Sequence, residues 1–562
     1  MKKLSCLLLV ISAALLLAAC GTNEPPAPTA TATALPPTAT PTPPPVPTAT
    51  PAPSGVFASG ALPEAFRAQL NQVVAQQPDR FVASGDPNLS VLQAAYAPNI
   101  DVPIVGQWVY ALVAPFPTLV DDVPWSAVQA AWQGQPVECD ACDFSGPLRL
   151  SQTTRDALKV ILGEPASGAV EVLPPDQITP KLWEAQPAWG IVPFEELNPR
   201  LKILAIDGQS PLHHGLDLNT YPLVIKIGLA GPLDQAQQLQ AAVGQPITNR
   251  DESKMTLVAM TGVTAMSRDF AASMDVNGVL YPAQNIQDYF DTSDVVHISN
   301  EVSFWADCPK QPTPNRGVFC SDPSYWELLK HVHTSVMELT GNHLNDYGWE
   351  PFSYTLGIYE EAGLPYFGGG RTITEATRFI TLTNNGNLLA FAGCNPVGPA
   401  IDWVDGLDDG RPGSAPCSSP FTPLQDQIKQ AKAGGAVVFS TLQYNEQPLG
   451  DYSYETAKSQ ANDFALLIDA GADVVSGSQG HSVQGFGLKG NGFMHYGVGN
   501  LFFDQMQAIN LRQNFIDRYL VYNNKLLSVE LLTTIRDEAA LPRKMTTEER
   551  RSLLKTLFAL SY

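Results

Sequence analysis

The 562 residues carry 33 Lys and Arg against 55 Asp and Glu, a formal net charge of −22. A chain of this length exceeds one hydrophobic core and predicts two or three domains. Its acidic balance excludes a nucleic-acid partner bound by charge neutralisation, and a polyanionic substrate is repelled unless a locally basic pocket or a bound cation offsets the field.

In chain order, Lys2 and Lys3 precede the apolar run 4–17, which has the charge pattern of a secretory signal and is short for a membrane span. The following Leu17-Ala-Ala-Cys20 resembles a bacterial lipobox. That resemblance implies that residues 1–20 are a lipoprotein signal cleaved before Cys20, with a lipid on the Cys20 thiol, and an extracytoplasmic protein anchored to the cell membrane. Residues 21–54 are almost wholly Pro, Thr and Ala, a composition that cannot bury a core. They read as a disordered stalk with polyproline II character, able to reach about 90 Å.

Residues 55–250 read as an α/β domain. Helical periodicity over 63–77 and 153–162 alternates with strand-like runs at 110–115, 188–192 and 221–227. The segments 125–134 and 204–211 resemble those of type 2 periplasmic solute-binding proteins, which implies two lobes around a small-molecule ligand. Ser151, Thr153 and Thr154 stand at a predicted helix start, where such residues cap the helix or receive an anion.

Besides Cys6 and Cys20, six cysteines remain, in keeping with an oxidising compartment. Six cysteines allow fifteen connectivities. Sequential pairing gives Cys139 with Cys142, Cys308 with Cys320 and Cys394 with Cys417. Cys139-Asp-Ala-Cys142 is also the spacing of a redox motif or half a zinc site, but no second close pair stands nearby.

Residues 255–562 form the second α/β unit, opening with a strand at 255–260. Four more apolar runs then end in polar lips: ISNE at 298–301, LQYNE at 442–446, GSQGHSVQ at 477–484 and HYGVGNLFFD at 495–504. A fifth, LTGNHLNDYG at 339–348, follows the predicted strand 335–339. In an open α/β sheet, ligands bind at the carboxyl ends of strands. A helix over 455–470 ends at Gly471 and feeds a strand at 473–476. A further strand is predicted at 494–503, two more between 515 and 533 about Asn523-Asn524, and a final helix boxed by Thr546 and Glu549.

Over 255–504 these lips resemble the capsule-synthesis family that handles poly-γ-glutamate, whose domain is similar to a calcineurin-type metallophosphoesterase sandwich. The resemblance implies His343, Asp346 and His481 as catalytic residues. It implies Glu301, Asn342, Gln443, Glu446, Gln479 and Asn500 as a substrate or metal pocket. The chain departs from the family where Val263 replaces a metal-binding aspartate and where Gln443 and Gln479 replace histidines. A dinuclear centre is therefore not expected, since it needs anionic and imidazole ligands that hold its ions about 3.5–4 Å apart. At most one Mg²⁺, Mn²⁺ or Ca²⁺ would sit on Glu301, Asn342, His481 and a glutamine carbonyl. The expectation is an extracytoplasmic protein that makes or processes a surface polymer, hydrolytically in the leading reading; the alternative is a binding protein for a surface polymer or small solute with a degenerate metal site.

Overall fold

The computed structural model describes residues 52–562 except 98–100, 140, 141, 143, 311–316, 407–409, 445–451, 479, 539 and 562. The expected signal, Cys20, nearly all of the stalk, Glu446 and Gln479 lie outside the described residues. The chain divides into Met1–Pro51 and Ala52–Tyr562, and the second unit holds the described residues.

Within it, the first α/β half is built on the long strand Ile104–Pro115. Its first part pairs antiparallel with Val224–Ala230, which leads to Leu92–Tyr96, Ser54–Ala58 and Phe81–Ala83. The second part pairs antiparallel with Gly190–Pro193 and Leu201–Ile206, and the sheet continues through Leu148–Leu150 to Val170–Val172. One strand thus serves two groups of strands. The sequence pattern showed only its apolar second part, because Gly106 and Gln107 interrupt the first. A Cβ on Gly106 would stand 2.5 Å from the Phe66 ring, so that glycine lets helix Glu64–Ala75 lie close on the sheet. The helix buries Phe66, Leu70 and Val74 at the four-residue spacing of one face. At helix Gln152–Leu162, Ser151 Oγ accepts the Thr154 N–H at 3.1 Å and lies 2.9 Å from the hydroxyls of both Thr153 and Thr154. The Ser151 hydroxyl caps the helix.

The second half is a four-layer sandwich. One sheet runs Tyr366–Phe367, Thr334–Glu338, Val295–Asn300, Met255–Thr261, Gln513–Tyr522, Lys525–Arg536 and Pro542–Lys544, its first four strands parallel. The other contains Asn387–Cys394, Val437–Gln443, Val474–Ser478 and Gly492–His495, also mutually parallel. Their facing surfaces share a core that includes Val258, Val295, Val336, Phe391, Phe439, Val474 and Tyr519. Phe270, Leu328, Phe352 and Leu356 come from helices that cover the outer face of the first sheet. Leu424, Ile428, Phe464 and Leu467 do the same for the second. Buried parallel strands read as continuous apolar runs for this reason. Met255, Leu257, Leu520 and Tyr522 also belong to the core of the first half, which therefore packs without a break against the second.

One expected strand divides. The run 494–503 forms Gly492–His495 in one sheet and Asn500–Phe502, paired with Val263–Thr264, at the other. Gly499, with φ of 86°, turns the chain between them. The hairpin about Asn523 and Asn524 has both residues at positive φ, 51° and 56°, as a type I′ turn requires. Thr546 and Glu549 close a reciprocal capping box on helix Thr547–Ala559. Cys139 bonds Cys142, Cys308 bonds Cys320, and Cys394 bonds Cys417.

Candidate functional site

The parallel strands of both sheets of the sandwich end at one place. Val263, Ser299, Glu301, Thr340, Gly341, Gln443 and Ser478 line a crevice too narrow to hold a water molecule. Two glycines make this convergence possible. A Cβ on Gly341 would lie 2.7 Å from the Glu301 carbonyl oxygen, and one on Gly262 would lie 2.0 Å from that of Gly499. The lip after Thr334–Glu338 therefore rests directly on the backbone of the Glu301 lip.

Below the crevice, a buried polar network ties the two sheets together. His297 Nε2 is 3.0 Å from Glu338 Oε2. Thr340 Oγ1 donates to Glu338 Oε1 at 2.5 Å and lies 3.2 Å from Ser478 Oγ. Burial alone would raise the Glu338 pKa, but the hydrogen bond and charge of His297 outweigh it and hold it below the ordinary value.

At the mouth, His343 Nδ1 lies 2.8 Å from Asp346 Oδ2. The Phe319 N–H donates to the same oxygen at 2.6 Å, and the Phe319 ring meets the imidazole edge to face at 4.6 Å. Burial opposes charge on His343. The Asp346 hydrogen bond and the charges of Glu301, Asp346 and Asp402 prevail and raise its pKa. His481 is the opposite case: burial lowers its pKa to about 4, against a weaker upward pull from Asn500. The Asn500 amide nitrogen donates to the carbonyls of His481 and Leu511 and to Gln505 Oε1, so its oxygen faces His481 Nδ1 at 2.8 Å. That oxygen can only accept. His481 Nδ1 therefore carries the proton, and Nε2 presents a lone pair. An imidazole whose charged form is favoured, beside one held neutral with a free Nε2, is the pattern of an acid and a base.

The donors do not fit a metal centre. Val263, 2% exposed, lines the crevice with methyl groups where a bridging carboxylate is needed. Gln443 Nε2 donates to Asn342 Oδ1 at 2.9 Å, which uses the amide oxygen that a single cation would require. Glu301 is buried, and burial pushes its pKa up to about 7. Among the described residues, no three His, Cys, Asp or Glu side chains form a group able to hold an ion.

Of the residues singled out from sequence, Glu301, Asn342, His343, Asp346, Gln443, His481 and Asn500 come together here. Four residues that sequence reasoning passed over share the site. Asp402 accepts the Asn345 N–H at 2.7 Å, and burial pushes its pKa up to about 7. Arg536 is buried beneath the 495–504 lip and donates to the carbonyls of Asn500, Gln505 and Leu511. Phe319 and Arg268 form the wall beside His343. Only Phe319, next to Cys320, and Arg268, in the turn after the first strand, stood near a sequence signal.

Residues 257–505 match the family model of the bacterial capsule synthesis protein PGA_cap. The capsule biosynthesis protein CapA of Bacillus anthracis is 25% identical over 290 residues, 50% of this chain and 67% of that protein. The PGA biosynthesis protein CapA of Bacillus subtilis (strain 168) is 25% identical over 182 residues, 32% of this chain and 45% of that protein. Among solved structures, an ABC-type phosphate transport receptor from Vibrio cholerae covers 34% of this chain and 93% of its own at 12% identity and a TM-score of 0.29. The Haemophilus influenzae NAD nucleotidase NadN covers 54% of this chain and 56% of its own at 10% identity and a TM-score of 0.29. Overlaps this loose decide neither fold nor ligand.

Proposed function

We propose that this chain, whose residues 257–505 form a domain of the PGA_cap family, is a lipid-anchored extracytoplasmic protein that processes a poly-γ-glutamate-type surface polymer at the His343 and His481 site. The observation that carries the chemistry is the contrast in partners, a carboxylate 2.8 Å from His343 Nδ1 and an amide oxygen 2.8 Å from His481 Nδ1, which favours the charged form of the first imidazole while burial favours the neutral form of the second. In hydrolysis of an amide link, His481 Nε2 takes a proton from water as the water oxygen bonds to the carbonyl carbon. The carbon–nitrogen bond then breaks, and the leaving nitrogen takes the proton of His343 Nε2. Solvent returns both groups to their starting states. The names of the two CapA relatives support the polymer class, and the lipobox at Cys20 supports the location.

The test is release of shorter chains from poly-γ-glutamate by the full protein. His343→Ala and His481→Ala should each lower turnover by 10²–10⁴, the range for a positioned acid or base. Turnover that survives both substitutions overturns the assignment. The replacement of a ligand by Val263 favours a second reading, in which the domain holds the polymer without cleaving it; binding without any product is the result that selects it.

A further inference from the structure

The mouth of the site also carries a fixed cation. Arg268 opens helix Arg268–Asn277 at a φ of 51°. A non-glycine residue persists in this left-handed conformation where its surroundings hold it, and here they do. Arg268 Nε donates to Asp504 Oδ1 at 2.8 Å, and Nη2 donates to the same oxygen. Asp504 Oδ2 accepts the Asp269 N–H at 2.8 Å and the Phe270 N–H at 3.4 Å, which locks the carboxylate to the start of the helix. The guanidinium carbon lies 4.5 Å from the Phe503 ring centre and 5.1 Å from that of Phe319. Nη1, with two N–H groups, makes no hydrogen bond to a described residue.

The same two rings carry the histidines. Phe319 packs on His343 and, at 5.5 Å, Phe503 packs on His481. Arg268 therefore stands between the two histidines, its Nε and Nη2 held by Asp504, its Nη1 without a hydrogen bond to a described residue, and its side chain 19% exposed.

We propose that Arg268 Nη1 is the oxyanion-binding group of this site and takes a carboxylate of the polymer beside the link that His343 and His481 act on, an inference that rests on the polymer reading above. Three physical features support it. A guanidinium already fixed by an ion pair and two rings loses little further freedom on binding. The Phe319 and Phe503 rings leave the Arg268 side chain only 19% exposed, and a charge-assisted hydrogen bond gains strength where water is scarce. In a chain of net charge −22, an acidic polymer needs a cation at the point of contact. A carboxylate and a phosphoryl group present the same oxyanion chemistry, so the ligands in the test must separate them.

The experiment measures binding of the full chain to a γ-linked glutamate hexamer, to the same hexamer with its free carboxyls converted to amides, and to a glycerol phosphate oligomer. The wild-type protein should bind the acidic hexamer at least tenfold more tightly than the amidated one, a comparison that needs no variant. Arg268→Gln should weaken the acidic hexamer by tenfold or more and leave little preference between the two, while Arg268→Lys should keep part of it. Equal binding of the two hexamers by the wild type overturns the inference, as does an Arg268→Gln protein of unchanged melting temperature that still discriminates. Arg268-dependent binding of the phosphate oligomer alone keeps the oxyanion role and overturns the polymer reading. Binding of none of the three overturns both.

Discussion

Replacing Asp346 by asparagine tests the acid half of the site directly. The side chain keeps its shape, and an amide oxygen can still receive the Phe319 N–H, but the charge that favours imidazolium at 2.8 Å is gone. Hydrogen bonds to charged groups contribute about 1.5–3 kcal/mol. Without the Asp346 charge the His343 pKa should fall, since burial is then opposed only by Glu301 and Asp402. The chain has 8 histidines, so histidine-labelled protein gives few signals to follow by NMR titration. The sign of the stability effect is fixed by the same shift. A histidine whose folded pKa is raised contributes its stability in full below the unfolded value and loses it as pH rises through the folded value. The Asp346→Asn protein should therefore be weakest against wild type at acid pH, with the deficit shrinking as pH rises. An unchanged His343 titration would refute the claim that Asp346 sets its charge.

Two other consequences are measurable. With its folded pKa at about 4 against 6.5, His481 contributes stability that is complete above 6.5 and is lost as pH falls through that window, about 3 kcal/mol in all; in urea melts, His481→Gln should flatten the acid limb of the stability profile, and an unaltered slope would count against it. Gly341→Ala places a Cβ 2.7 Å from the Glu301 carbonyl oxygen and 2.8 Å from its Cα. Both contacts are backbone, so the strand ends must part, at a cost of about 1–3 kcal/mol read as a lower melting temperature.

The site was legible in outline because its logic is local: each strand of a buried parallel sheet is an apolar run, and each ends where polar residues and a glycine begin. That pattern placed Glu301, His343, Gln443 and His481 at strand ends. It failed where the chain changes sheets inside one apolar run, since Met494 and Phe503 look alike to a period count whichever sheet receives them. It also missed groups whose roles depend on distant partners. Arg268 meets Asp504 across 236 residues of sequence, and Arg536 reaches the Leu511 carbonyl from a hairpin strand that reads as purely structural. Asp402 lies in a loop with no periodicity, and only the fold brings it to the Asn345 N–H.

The electrostatics of the mouth turn on its buried acids and on Arg268. Glu301 and Asp402 are buried, and burial carries both towards neutrality near pH 7. The charge left at the mouth then comes from Arg268, offset by Asp504, and from His343, offset by Asp346. Each of these two groups is held by one carboxylate. Such a mouth exerts almost no long-range attraction, and beyond about 8 Å physiological salt screens the acidic surface as well. An acidic chain must therefore arrive by diffusion against weak repulsion and be held by short contacts. On this argument, added salt speeds encounter by screening the surface, while the Arg268 contact, walled by Phe319 and Phe503, weakens much less than an exposed ion pair.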